Sequence, residues 1–401
     1  KNSARSLSIL RGTFSVQRDK PLKQKLRQMK IGFVCYPTFG GSGVVATELG
    51  KALAEKGHEL HFITYSAPAR MGSLKSNLFY HEVRVSDYPL FEYQPYELVL
   101  TSKMVEITVA HDLDLLHVHY AIPHAYAGYM AKQMLAQAGI EIPMVTTLHG
   151  TDITLVGNHP FYKPAVTFSI NNSDCVTSVS QSLKDDTLRL FDIKKTINVV
   201  PNFIDVKRFE NQFTDCQRSI MALPQERIIT HVSNLRPVKR VQDVIQIFNL
   251  VQKQIPSKLL IVGEGPEKEP AEALAESLGI ADKVVFLGNS NEVDKILCFS
   301  DLFLLPSEKE SFGLAALEAM ASGVPIISSD AGGLPEVNIA GESGYLSAVG
   351  NIKEMAANAI KILKDDATLA SFKVNAKKSS LRFDTTRVVP QYEALYKRAL
   401  L

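Results

Sequence analysis

The sequence predicts an α/β protein in which two doubly wound domains, each built on a mostly parallel sheet, face each other across a cleft. Short apolar segments alternate with helix-length amphipathic segments from Met29 onward, and the alternation starts again after Pro201-Asn202-Phe203. This pattern is typical of parallel strands with helices on both faces of the sheet. Ligands of such sheets bind at the carboxyl ends of the strands, so we expect an interdomain site.

The composition is that of an ordinary globular protein. Of 401 residues, 45% are hydrophobic and 21% charged, which allows two or three packed cores and excludes a disordered or fibrous chain. Lysine and arginine total 44 against 42 acidic residues, so there is no general attraction to nucleic acid or anionic membranes. No stretch approaches the roughly 18 consecutive apolar residues of a membrane span. We expect a cytoplasmic protein with no nucleic-acid partner and no integral membrane association.

Charge and periodicity divide the chain into four parts. Residues 1–28 carry eight basic side chains and one acidic side chain, and we interpret them as a non-native leader. A transit peptide and a basic interaction arm are the alternatives. Residues 29–202 and 203–384 are the two expected domains, and residues 385–401 are predicted to form a C-terminal helix.

Each predicted strand is a short apolar run bounded by polar residues or glycine. Those of the first domain are Ile31–Cys35, Glu59–Thr64, Leu115–His119, Met144–Leu148, Cys175–Val179 and Asn198–Val200. Those of the second domain are Ile228–Val232, Leu259–Val262, Val284–Leu287, Leu302–Leu305 and Ile326–Ser328. A helix over Val44–Lys56 completes the first strand, loop and helix unit.

A glycine-rich loop, Gly40-Gly41-Ser42-Gly43, connects this first strand to its helix. Glycines allow a ligand to approach the backbone, and the amino terminus of a helix offers unpaired N–H groups to an anion. The loop matches neither the dinucleotide-binding glycine pattern nor a P-loop. A tight turn without a ligand remains the alternative.

Neither the cysteines nor the acidic and histidine pairs predict a metal site. The cysteines have no C-x-x-C spacing, which favours buried reduced thiols: Cys35, Cys175, Cys216 and Cys298. Asp112 and Asp114 are interpreted as the solvated start of a strand. His117 and His119 share one strand face but lack a third convergent ligand, so hydrogen bonding at the cleft edge is favoured over metal binding.

The segment from Lys309 to Glu318 says the most about a ligand site. Glu310 lies in the loop after a strand, and Phe312-Gly313 opens a helix predicted to end near Ser322-Gly323, with Glu318 about two turns into it. Both carboxylates can face one ligand at the helix amino terminus. The alternative is that Glu310 is only a charge near the helix amino terminus and Glu318 only a solvated side chain.

Two further strand ends carry groups suited to a diphosphate. Gly263-Glu264-Gly265-Pro266 forms a glycine turn after one strand, and Arg236-Pro237-Val238-Lys239-Arg240 places three cations after another. Residues 29–401 are net acidic, so such a cationic cluster suits local phosphate binding. A solvated basic surface is the alternative.

Together, the Glu310 and Glu318 pair, the turn at 263–266 and the first glycine loop resemble retaining nucleotide-sugar glycosyltransferases of family four, which have the GT-B architecture of two Rossmann-like domains. The resemblance covers about Met29 to the C-terminus and includes residues 35–43, 149–153, 233–240 and 308–314. It implies transfer of N-acetylglucosamine from UDP-N-acetylglucosamine to the hydroxyl of L-malate, with retention of the α configuration and without a metal or other cofactor. This is the first step of bacillithiol biosynthesis.

The resemblance also implies roles for side chains. Lys239 and Arg236 would stabilise the leaving diphosphate together with the helix end at Phe312-Gly313-Leu314. Glu310 would hold sugar hydroxyls, and His149 would contact the sugar or the phosphate. No general base is implied, because the leaving phosphate oxygen accepts the proton of the acceptor.

The remaining donor contacts follow from the same likeness. Glu318 would bind the ribose, Gly288-Asn289 would bind the uracil through the backbone, and Gly263 belongs to the donor turn. The family usually has arginine where Asn234 stands, so that role moves to Arg236.

The acceptor is expected in residues 29–202 and the nucleotide sugar in residues 203–384, with the C-terminal helix crossing back to the first domain. Gly41, Ser42 and Gly43 would bind a carboxylate, with Tyr120 and Thr147 as hydroxyl partners. A different small or lipid acceptor, a UDP-N-acetylglucosamine 2-epimerase-like enzyme and a nucleotide-sugar-binding regulator remain open, as does a homo-oligomer.

Overall fold

A computed structural model describes residues 28–38, 40–72, 76–85, 92–210, 218–290 and 292–401. The predicted leader, apart from Gln28, and Cys216 lie outside the described residues. No disulfide joins the other three cysteines, of which Cys35 and Cys175 are buried. None of the described helices has both the length and the apolar character needed to cross a membrane.

The first domain contains a seven-stranded parallel sheet of order β3-β2-β1-β4-β5-β6-β7. Its strands are β1 Lys30–Val34, β2 Glu59–Thr64, β3 Leu78–Glu82, β4 Leu115–His119, β5 Met144–Leu148, β6 Cys175–Ser178 and β7 Ile197–Val199. The second domain contains a six-stranded parallel sheet of order β10-β9-β8-β11-β12-β13. Its strands are β8 Arg227–Val232, β9 Ser257–Val262, β10 Val284–Gly288, β11 Leu302–Leu305, β12 Ile326–Ser329 and β13 Gly344–Ser347.

Helices surround both sheets, as the alternating pattern predicts. They are α1 Gly41–Glu55, α2 Tyr96–His111, α3 Tyr126–Gln137, α4 Lys163–Asn171, α5 Gln181–Leu190, α6 Lys207–Glu210, α7 Arg218–Met221, α8 Val241–Gln252, α9 Lys268–Ser277, α10 Val293–Leu297, α11 Leu314–Ala321, α12 Leu334–Val337, α13 Ile352–Leu363, α14 Asp366–Ser380 and α15 Thr385–Ala399. The predicted fold class, with two doubly wound parallel-sheet domains, is confirmed.

The sequence missed two strands and misplaced one helix start. Strands β3 and β13 lie at sheet edges, and partly exposed residues interrupt their apolar pattern. Helix α1 begins at Gly41 rather than at Val44, so the predicted loop glycines Gly41 and Gly43 form its first turn.

The strand order determines where a ligand can bind. In the first sheet β1 lies beside β4, and in the second sheet β8 lies beside β11. At each pair the chain changes the direction in which it adds strands, which leaves a crevice at their carboxyl ends. The loops after these four strands are therefore expected to form the site.

Helix α15 packs on the first domain, although it follows the second domain in the chain. Val388, Val389 and Tyr392 are buried in the same apolar cluster as Ile31 of β1. Glu393 accepts hydrogen bonds from Lys56 and His58, which lie around the end of α1. This segment therefore ties the C-terminus to the first sheet.

The Tyr396 hydroxyl lies 2.7 Å from Nδ1 of His117 at this interface, and both residues are fully buried. Because Tyr396→Phe leaves Nδ1 without a partner, we expect the free energy of unfolding to fall by about 1–3 kcal/mol. Urea denaturation of the full chain measures this change. Tyr93→Phe is the control, since Tyr93 is 82% exposed. Equal urea midpoints for the two variants would contradict the prediction.

Candidate active site

A cleft of about 1350 Å³ lies between the two domains and is lined by both. Its walls come from the loops after β1, β4, β5, β8 and β11, at the carboxyl ends of these strands. The predicted site residues that line it are Gly41, Ser42, Tyr120, His149, Arg236, Lys239, Glu310, Phe312, Gly313 and Leu314. The strand order thus brings together residues almost 300 positions apart in the chain.

The amino terminus of α1 forms one wall. Gly41, Ser42 and Gly43 occupy its first turn, where backbone N–H groups have no partner within the helix. A β-carbon on Gly43 would lie 2.3 Å from the carbonyl oxygen of Thr38, so only glycine allows this close turn. The first turn contains no acidic side chain, and the positive end of the helix dipole is therefore available to an anion.

The Tyr120 hydroxyl donates a hydrogen bond of 2.6 Å to Oγ of Ser42. Burial raises the pKa of Tyr120 further above its ordinary value, so the hydroxyl stays protonated and remains the donor. The proton of Ser42 is then free to be donated to a ligand. Ser42 and Tyr120 form a polar pair next to the N–H groups of α1.

Two of the predicted acceptor residues contribute differently from what the sequence suggested. Thr147 is fully buried and hydrogen-bonds to His117 and Thr177, each at 2.7 Å, so its hydroxyl belongs to the sheet and does not line the cleft. Gly43 is also buried, and it shapes the turn without lining the cleft. Residue type and position at a strand end cannot reveal which face of the strand a side chain occupies.

His149 reaches the cleft from the end of β5 and is held by buried groups. Its Nε2 lies 2.8 Å from Nδ1 of His119. Burial lowers the pKa of His149 to about 3, so its ring is neutral near pH 7. A neutral ring can hydrogen-bond a sugar hydroxyl but contributes no positive charge toward a phosphate.

Asp152 holds the loop around His149, and the sequence analysis assigned it no role. Its Oδ1 accepts hydrogen bonds from the backbone N–H groups of His149 at 3.2 Å and Gly150 at 2.9 Å. Its Oδ2 accepts one from Ala121 at 2.9 Å, which joins the loops after β4 and β5. The sequence signal that could have indicated this role is the position of Asp152, three residues after His149 at the end of a strand.

Two of the three cations predicted for a diphosphate line the cleft. Nζ of Lys239 lies 2.5 Å from Oε2 of Glu310, in the opposite loop of the same domain. Arg236 is exposed in the cleft and has no carboxylate partner among the described residues. Arg240 instead pairs with Asp243 at 2.6 Å on α8.

The loop before α11 presents its backbone to the cleft. Gly313 has a φ of 99°, and a β-carbon there would lie 2.7 Å from Cδ2 of Leu334. The Phe312 ring is buried against Phe383, with ring centroids 5.3 Å apart, so this residue offers only backbone to a ligand. Helix α11 begins at Leu314 and has no acidic residue in its first turn.

The positive ends of α1 and α11 meet across the cleft. A β-carbon on Gly41 would lie 3.7 Å from Cδ2 of Leu314, so the two helices begin close to each other across the domain boundary. Two positive helix ends repel each other, and an anion bound at either end relieves the repulsion. The geometry thus favours an anionic ligand at each helix start.

The other predicted donor residues do not line the cleft. Glu318 is the fifth residue of α11, in its second turn, and its Oε1 accepts a hydrogen bond of 3.1 Å from Arg70 of the first domain. Gly263 follows β9 and Gly288 ends β10; the backbone N–H of Gly263 donates a hydrogen bond of 2.8 Å to the carbonyl oxygen of Gly288, and Asn289 is exposed beside them. The structure therefore divides the predicted donor residues between the cleft and the neighbouring strand ends.

The predicted strand-entry role of the acidic pair fits the structure. Oδ2 of Asp114 accepts a hydrogen bond of 2.9 Å from the backbone N–H of Lys30, and Asp112 caps the end of α2. His117 uses both ring nitrogens in hydrogen bonds, to Thr147 and Tyr396. Within the described ranges, no group of three potential ligand side chains comes within metal-binding distance in the cleft.

Comparisons with known proteins identify relatives along nearly the whole chain. Residues 39–208 match the family model Glycosyltransferase Family 4, and residues 215–379 match the model Glycosyl transferases group 1. N-acetyl-alpha-D-glucosaminyl L-malate synthase of Bacillus anthracis is 48% identical over 92% of this chain and 97% of its own. 2-Deoxystreptamine N-acetyl-D-glucosaminyltransferase of Niallia circulans is 24% identical over 89% of this chain and 97% of its own.

Solved structures share the fold. Anabaena Alr3699/HepE in complex with UDP and glucose superposes with a TM-score of 0.77 at 21% identity, covering 92% of this chain and all of that one. Sucrose-phosphate synthase from Thermosynechococcus elongatus gives a TM-score of 0.76 at 21% identity, covering 93% of this chain and 99% of that one.

Proposed function

The chain belongs to glycosyltransferase family 4, and from this premise we propose that it transfers N-acetylglucosamine from UDP-N-acetylglucosamine to the hydroxyl of L-malate with retention of the α configuration. This reaction would open bacillithiol biosynthesis. The choice of donor and acceptor follows from the relative in Bacillus anthracis, which is 48% identical. The observation in the structure that carries the proposal is that two helices, one from each domain, begin at one cleft and have no acidic residue in the first turn.

The second domain supplies groups suited to the departing diphosphate. Lys239 has three N–H donors, of which Glu310 occupies one, so the others remain available to phosphate oxygens. Arg236 adds a second cation from the same loop. The amino terminus of α11 adds backbone N–H groups and the helix dipole, and all of these favour charge that develops in the transition state. A metal ion is therefore not required for this role.

The first domain supplies groups suited to a dicarboxylate. The N–H groups at the start of α1 and the Ser42 hydroxyl form a donor set for one carboxylate of malate. A neutral sugar would gain little from the helix dipole. We therefore assign residues 29–202 to acceptor binding and residues 203–384 to donor binding.

Retention follows if the malate hydroxyl attacks from the side on which the diphosphate leaves. The bond from the anomeric carbon to the phosphate oxygen breaks, and the bond to the malate oxygen forms on the same face. The malate proton passes to the departing phosphate oxygen, so no side chain acts as general base. His149 and Glu310 orient sugar hydroxyls in this scheme.

The absence of disulfides among Cys35, Cys175 and Cys298 agrees with a reducing compartment. We therefore assign the reaction to the cytoplasm.

The full chain incubated with UDP-N-acetylglucosamine, L-malate and excess chelator is expected to form N-acetylglucosaminyl malate and UDP. Mass spectrometry detects the product, and proton NMR reports its anomeric configuration. Conversion of the donor to its manno isomer without malate would instead indicate an epimerase. UDP binding without turnover would indicate a regulator, and transfer only to another acceptor would overturn the malate assignment. Loss of activity in chelator that magnesium or manganese restores would contradict the metal-free step.

Lys239→Ala is expected to lower kcat by about 10²–10³-fold, because the lost charge acts most strongly as the diphosphate departs. Steady-state kinetics on the purified variant measures the change. Lys103→Ala is the matched control, since Lys103 pairs with Glu106 on α2, outside the cleft. Similar kcat values for both variants would place the diphosphate elsewhere.

Ser42→Ala is expected to raise KM for malate several-fold and leave UDP affinity nearly unchanged, because the two ligands contact different domains. L-Malate should also be a much better acceptor than lactate, which lacks the second carboxylate and leaves donors unpaired. Kinetics at saturating donor, together with calorimetric titration of UDP, separates these effects. A weakened UDP affinity with unchanged KM for malate would reverse the domain assignment.

A further inference from the structure

Three histidines converge at the edge of the first sheet, outside the cleft. His61 lies on β2, His81 on β3 and His111 at the end of α2. In the parallel register His61 pairs with Phe79, so the side chains of His61 and His81 point to one face of the sheet. One ring nitrogen from each histidine lies within 4.8 Å of the others. None of the three lines the cleft.

The hydrogen bonds of His61 define its tautomer. Nε2 of His61 lies 2.9 Å from Oε1 of Glu59, and a carboxylate requires the proton on this nitrogen. Nδ1 of His61 therefore carries a lone pair, and it points toward Nε2 of His81 at 2.8 Å. A histidine that donates one N–H to a carboxylate and presents its other nitrogen is the usual arrangement of a metal ligand.

We propose that His61, His81 and His111 bind a divalent transition metal ion of the zinc class, with Glu59 orienting His61. Three imidazoles and a water molecule form a common coordination set for zinc, and imidazole also suits copper and nickel. This site is independent of the proposed glycosyl transfer and needs no step of it.

The geometry requires only small movements. Zn–N bonds of about 2.0–2.1 Å in a tetrahedron place ligand nitrogens about 3.3 Å apart. The present separations bracket that value, from 2.8 Å between His61 and His81 to at most 4.8 Å in the cluster. His81 and His111 are half-buried, which leaves an approach for the ion and for a water ligand.

Charges of both signs lie near the three histidines. Burial lowers the pKa of His61, and it lowers the pKa of His81 to about 4, so both rings are neutral near pH 7. Lys30 donates to the carbonyl oxygen of His111 at 2.9 Å and lies 3.9 Å from Glu59. Its charge opposes a cation, and the Glu59 carboxylate offsets that charge.

A bound ion would add a link between α2 and the two strands β2 and β3, which already pair with each other in the sheet. Among the residues that the structure describes, β3 is an edge strand whose one partner strand is β2. Coordination by residues of β2, β3 and α2 would fix this edge to the rest of the sheet. Metal binding to the folded state then raises its stability by mass action.

The test uses the full chain stripped of metal and titrated with Zn²⁺ against a competing chromophoric chelator. We expect one zinc equivalent to be retained, a rise in Tm, and a tetrahedral Co²⁺ spectrum without a sulfur charge-transfer band. Glu59→Gln keeps all three ligands and is expected to weaken binding about 10–100-fold. His81→Gln removes a ligand and should abolish retention of that equivalent.

His159→Gln is the matched control, because His159 is exposed and outside the cluster. It should bind zinc as the unaltered chain does. Circular dichroism and UDP affinity check that each variant folds. If His81→Gln does not fold, Glu59→Gln still decides the test. Absence of a retained equivalent, or retention that neither Glu59→Gln nor His81→Gln weakens, would overturn the proposal. The histidines would then be a packed aromatic cluster with Phe79.

Discussion

Two helices from different domains begin side by side in this protein, and neither has an acidic residue in its first turn. The proximity of Gly41 to Leu314 therefore places two positive helix ends close together. Their repulsion is unfavourable without an anion. An anion bound in the cleft offsets this repulsion, which favours anion binding. The strand orders of both sheets bring the two helix starts to one cleft, and Lys239 lines the same cleft.

The cleft also contains the His149 ring, which is uncharged near pH 7. His149 is held by the buried His119, and burial keeps its ring uncharged near pH 7. Asp152 fixes the backbone around it, so the imidazole is presented in one orientation. Lys239 and Arg236 therefore bring positive charge to the same cleft that the uncharged His149 ring lines. The division of roles follows from burial, since desolvation disfavours the charged imidazole.

The domains contact each other through side chains as well as through helix ends. Arg70 of the first domain pairs with Glu318 of the second, and the Ser180 hydroxyl donates to the carbonyl oxygen of Ser311 at 2.6 Å. Helix α15 follows the second domain in the chain and packs on the first domain, so the chain crosses between the domains a second time. A ribose that binds Glu318 would share this carboxylate with Arg70, which couples donor binding to the position of the first domain.

The amino-acid sequence by itself determined the fold class, eleven of the thirteen strands in the described part of the chain, and the loops that form the cleft, because apolar periodicity and glycine placement are local properties. Only the tertiary structure decided which side chains of those loops reach a ligand. It turned Thr147 into the sheet and Arg240 toward Asp243, and it left Ser42 and Arg236 in the cleft. It also brought together His61, His81 and His111, since their meeting depends on strand register and on the packing of α2. Long-range register and packing are set by the whole core, and no local pattern records them.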